Sequence, residues 1–91
     1  MERNILVLAR RDSNEAMRVA AGLTIFGHSV TLAMLCASFD QTRFQHEFEE
    51  LLDLADIEPV TTASANIGNF PVISEVTLAD EVINAEAVIN L

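Results

Sequence analysis

The sequence predicts an α/β domain built on an open, mostly parallel sheet of about four or five strands, three layers deep, with helices on both faces. Three observations point there. The runs "NILVLA" and "SVTLAMLCA" are uninterrupted aliphatic stretches, too short for stable helices and suited to strands buried on both faces. Each is followed by a longer amphipathic segment headed by helix-start residues. Strand-like and helix-like segments then alternate to the last residue, the order expected of parallel strands joined by crossover helices.

The first strand, Asn4 to Ala9, stops at Arg10 and Arg11. A helix follows over "DSNEAMRVAAGLTIFG": Asp12 or Ser13 caps it, Glu15 stands three residues after Asp12, and Gly27 suits a left-handed helix end. Ala16, Val19, Ala20, Leu23 and Phe26 recur at helical spacing and define the face expected on the sheet. After Gly27 and His28 comes the second strand, which completes a right-handed βαβ unit. The second helix, "FDQTRFQHEFEELLDLADI", has Asp40 or Thr42 as its cap and Phe44, Phe48, Leu51 and Leu52 on one side. "EPVTT" is a third strand confined to an edge or an end by Pro59, which has no N–H for a ladder. The loop "ASANIGNFP" turns at Gly68 and Asn69. "PVISE" is a short strand, Thr77 and Asp80 form a capping box for a helix over "LADEVINA", and "EAVINL" is the closing strand.

Length and composition bound the function. The 91 residues read as one domain, 1–91. Hydrophobic residues make up 51% of the chain and mean hydropathy is +0.31, so part of the apolar surface is expected to meet another chain. Every basic residue is an arginine (Arg3, Arg10, Arg11, Arg18 and Arg43), and 14 acids against 5 bases leave a net charge of −9. Nucleic acid is therefore not an expected partner, because phosphates call for a basic face. One cysteine cannot make an internal disulfide, and no clustered Cys/His zinc pattern occurs. The N-terminal segment lacks the marks of a signal peptide, and no run approaches the roughly 18 apolar residues of a membrane span. A cytoplasmic, reducing setting without membrane attachment is the expectation.

Ligands of parallel sheets gather at the carboxyl ends of the strands. Arg10 and Arg11 fall there, with Ser13 and Asn14 at the first helix start and Cys36 near the end of the second strand. Two readings of Cys36 follow. If the first two strands are neighbours, an arginine beside the thiol would favour the reactive thiolate, and the helix-start amides would add a place for a small anion. Alternatively, a cysteine in the aliphatic run after Met34 and Leu35 is a core residue, Arg10 and Arg11 are solvated charges, and Ser13 is a cap. His28 completes a helix end far from Cys36, and His46 lies among Glu47, Glu49 and Glu50 on a solvated face. Neither a calcium-loop spacing nor a phosphate-binding glycine loop is present, and no cofactor or metal is called for. A receiver domain shares the alternation but needs a lysine near its last strand, and this chain has none.

The order of elements, with "ILVLARRDSNEAMRVAAGLTIFGHSVTLAMLC" leading and "VTLADEVINAEAVINL" closing, resembles the DsrE/DsrF-like (TusBCD-like) sulfur-relay family over most of the chain. The resemblance implies a small open parallel sheet, assembly into dimers, trimers or hexamers with related subunits, and a sulfur-carrier protein as partner. In the family's active subunits it implies a cysteine that carries sulfur as a persulfide. That cysteine belongs in a later loop, which corresponds here to "VTTASANIGN", where Thr61 or Thr62 takes its place and no cysteine occurs. The expectation is thus a non-catalytic or accessory member acting through assembly, without independent turnover. The alternatives are a persulfide carrier using Cys36, and a small anion- or nucleotide-binding module using Arg10, Arg11, Ser13 and Asn14.

Overall fold

The computed structural model describes residues 3–36 and 39–91. Strand β1 (Asn4–Ala9) lies at the centre of a parallel three-stranded sheet, between β2 (Ser29–Met34) and β5 (Ala87–Asn90). The register runs from Asn4↔Ser29 to Ala9↔Met34 on one side and from Ile5↔Ala87 to Leu8↔Asn90 on the other. The two N-terminal strands are neighbours, as a short βαβ unit dictates. The predicted second strand extended to Ala37, which lies outside the described residues.

Alternation along β1 sends side chains to two cores. Ile5, Val7 and Ala9 join Leu32 and Met34 against Ala16, Met17 and Ala20 of α1 (Ser13–Ile25). Leu6 and Leu8 face the other way and meet Ala33 and Leu78 of α4 (Glu75–Asn84). Fully burying such an aliphatic side chain contributes about 1.5–3 kcal/mol, so β1 anchors the molecule from both faces.

Helix α1 starts and stops where its local chemistry says. The Asp12 carboxylate accepts the Glu15 N–H, and Gly27 takes a positive φ of 91° that lets the Gly27 and His28 N–H groups reach the Thr24 and Leu23 carbonyls. Phe26 departs from the expected face: it is 82% exposed, because it is the cap beyond the last full turn, and Met17 and Ala21 are buried in α1 instead. His28 is held by its ring, with Nδ1 accepting the Arg3 N–H at 3.3 Å.

The second helical stretch is composite. It runs through α2 (Gln41–Arg43), a wider π-helical turn at Phe44–Phe48 and α3 (Glu49–Leu54), with Asp40 as the cap accepting the Arg43 N–H. Phe44, Phe48 and Leu52 are buried against α1, and the rings of Phe39, Phe44 and Phe70 meet at centroid distances of 5.3–5.5 Å. Asp56 ends this stretch in a left-handed conformation, which a short polar side chain tolerates.

Strands β3 (Thr61–Thr62) and β4 (Val72–Ile73) form a separate parallel pair rather than a continuation of one long ladder. Pro59 offers no N–H, and the backbone pairing with β2 is an isolated Ala33↔Val60 bridge. The last helix corrects the predicted capping box. It begins at Glu75 with Ser74 as its cap, whose Oγ accepts the Thr77 N–H, so Thr77 lies inside the first turn.

Candidate functional site

The carboxyl ends of the strands hold every residue singled out for chemistry. The Leu35 N–H donates to the Ala9 carbonyl at 2.9 Å, and this last rung sets Cys36 beside the segment that leaves β1. Cys36 is 4% exposed, and its thiol donates to the Arg11 carbonyl oxygen at 3.1 Å. The group from Arg11 that meets the sulfur is thus a peptide oxygen, which uses the S–H as a donor. The Arg11 side chain itself is exposed.

The predicted anion-binding residues are placed near one another, and the Arg10 side chain and the Arg11 backbone N–H are engaged within the chain. Arg10 is exposed, and its Nε donates to Asn90 Oδ1 at 3.2 Å. The N–H groups of Arg11 and Asp12 both donate to the Leu91 carbonyl oxygen, at 2.8 and 3.0 Å, and so prolong the β1–β5 ladder past its last paired residues. Asp12 places a carboxylate at the head of α1, where an incoming anion would have to sit. Ser13 is buried and Asn14 half-buried.

The loop after β3 stands where the resemblance puts the carrier cysteine, and its residues act as turn formers. Thr61, buried, donates from Oγ1 to the Met34 carbonyl at 2.7 Å and accepts the Ile67 N–H at 3.2 Å. Thr62 Oγ1 accepts the Ala65 N–H, and its carbonyl accepts the Asn66 N–H. Ser64 Oγ donates to Glu75 Oε1 at 2.7 Å, tying this loop to the start of α4. The hydroxyls of Thr61 and Thr62 therefore hold the turn. The signal was available in the Thr-Thr-x-Ser pattern, which favours turns closed by hydroxyl-to-backbone bonds.

A feature the sequence reading did not identify is a cleft of about 620 Å³ between the second helical stretch and the two loops that flank β3. Phe44 and Phe70 line it, with Glu49, Asp53, Asp56 and Glu58 and no basic residue. Glu49, expected on a solvated helix face, lines this opening with Asp53, and the left-handed turn at Asp56 brings two further acids to it. Among the described residues no group of three or more metal-ligating side chains is gathered there or elsewhere, and no helix is long and apolar enough to cross a membrane. Comparison with protein-family models, with curated proteins and with solved structures returned no match for this chain.

Proposed function

We propose that this chain is a binding and assembly subunit without thiol turnover of its own. It works in the sulfur-trafficking setting that its resemblance to DsrE/DsrF-like proteins implies, packed against related subunits or a sulfur-carrier protein. The observation that carries this reading is the state of Cys36. A sulfur carrier must present a thiolate to a donor and then to an acceptor, whereas this sulfur is buried and its proton is directed to the Arg11 carbonyl. Exposed apolar side chains at Ile25, Phe26, Leu54, Val76 and Ile83 support a role in contacts between chains. The reading includes a fold detail: the Val60 bridge joins the two ladders into one sheet in the order β4-β3-β2-β1-β5, with helix layers on both faces. The bonds Met34 N–H to Val60 O and Val60 N–H to Leu32 O support that join.

The test is polysulfide loading of the native chain, read by intact mass, beside sedimentation of the wild type and Cys36→Ser. No one-sulfur increment on the folded protein, with the same mass distribution for both chains, is expected. A native increment that disappears in Cys36→Ser would replace this reading with a carrier.

A further inference from the structure

Helix α4 is apolar on two opposite sides. Leu78 points into the core with Leu6, Leu8 and Ala33. On the far side Val76, Ala79 and Ile83 follow one another at spacings of three and four, and Val76 is 71% and Ile83 77% exposed. A helix with a second apolar stripe suits a layer that is covered on both sides. The fold itself needs only the Leu78 side.

The charges beside this stripe select its occupant. At about 100° per residue Glu75 and Asp80 flank the stripe, Glu81 lies nearer the Leu78 side, and α4 carries no basic residue. About a twofold axis perpendicular to the helix, a second copy would bring the two stripes together antiparallel. Val76 would then meet Ile83 of its mate, the axis would pass near Ala79 and Asp80, and Asp80 would face its own copy in chains that each carry a net charge of −9. A segment with apolar side chains flanked by lysine or arginine meets both the stripe and the acids. We propose that the outer face of α4 docks a basic amphipathic helix of another protein. This rests on the assembly reading above and adds the face and the chemistry of the partner.

The probe is a synthetic helical peptide with leucines at i, i+3 and i+7 and lysines elsewhere, beside a control in which glutamates replace the lysines. Binding is followed by fluorescence anisotropy on the full chain. The lysine peptide binds and the glutamate peptide does not. The charge-neutral double variant Val76→Ser/Ile83→Ser weakens binding about tenfold or more, as expected for two aliphatic side chains losing burial. Both positions are on the surface, and unchanged far-UV circular dichroism confirms that the variant is folded. Three results overturn the proposal: no binding of the lysine peptide, equal binding by the double variant, or a wild-type dimer in sedimentation that the double variant abolishes. An oligomer that survives the double variant while the peptide fails to bind sinks this docking face and leaves the assembly reading standing. A persulfide formed on native Cys36 sinks the assembly reading instead.

Discussion

The burial of Cys36 sets a measurable limit on its chemistry. At 4% exposure the sulfur cannot be reached by an alkylating reagent without a local opening around Leu35 and Cys36. That opening breaks at least the thiol bond to Arg11 and the Leu35 to Ala9 rung, and it exposes a buried side chain. Two hydrogen bonds at about 1 kcal/mol each and the lost burial of a small apolar group at about 1 kcal/mol put the opening near 3 kcal/mol. At about 1.4 kcal/mol per factor of ten, the native chain should label on the order of a hundredfold more slowly than the chain in urea. The assay is iodoacetamide labelling by intact mass over a range of pH, native and denatured. Native labelling within about threefold of the denatured rate, or a midpoint well below the free-thiol value of about 8.5, would refute the buried-thiol argument. Cys36→Ala is expected to cost about 1–2 kcal/mol in urea unfolding, from the lost hydrogen bond and a small cavity.

Further outcomes follow from the same geometry. Thr61→Val keeps the shape but orphans the Ile67 N–H and the Met34 carbonyl contact, and is expected to lower stability by about 2–3 kcal/mol in urea titration, whereas Ser64→Ala, at the surface, should cost well under half of that. Gly27 and Gly68 both hold positive φ, but a Cβ at Gly27 meets open space while one at Gly68 would lie 3.1 Å from the Phe39 ring and 3.2 Å from that of Phe70. Gly27→Ala should therefore cost about 1–2 kcal/mol from the backbone alone, and Gly68→Ala visibly more; equal midpoints for the two would show that the aromatic cluster gives way freely. Arg43 Nε donates to Glu47 Oε2 at 2.9 Å, and this hydrogen bond, followed by the Glu47 charge, raises the arginine above its usual value. A raised group stabilises the fold below its unfolded value and loses that effect only as pH climbs through the folded one. For an arginine the window is strongly alkaline, so Glu47→Gln should leave the shape of the stability profile between about pH 6 and 9 unchanged as far as Arg43 is concerned.

Much of the architecture was legible in short stretches of sequence because the signals are local. Five consecutive aliphatic residues, Ile5 to Ala9, marked β1, Asp12 and Gly27 bracketed α1, and the continuous run after Ser29 marked β2 and its parallel partnership with β1. Each of these rests on rules that act within about one turn of helix or one strand length. The same locality explains the misses. Thr77 with Asp80 satisfies a capping pattern, but Ser74 already caps the helix three residues earlier. Phe26 keeps the helical spacing, yet the helix turns away before that residue can reach the sheet.

Local signals were enough to read most strand and helix segments, the parallel βαβ core and the strongly acidic charge balance, because periodicity, caps and net charge are properties of neighbouring residues or of sums. The folded arrangement was needed to learn which way Cys36 points, that the hydroxyls of Thr61 and Thr62 close a turn, that Asp56 and Glu58 join Glu49 and Asp53 around one cleft, and that Val76 and Ile83 stay outside. Those outcomes depend on which atoms approach from distant parts of the chain, and a side chain's role is set by the partner that reaches it first.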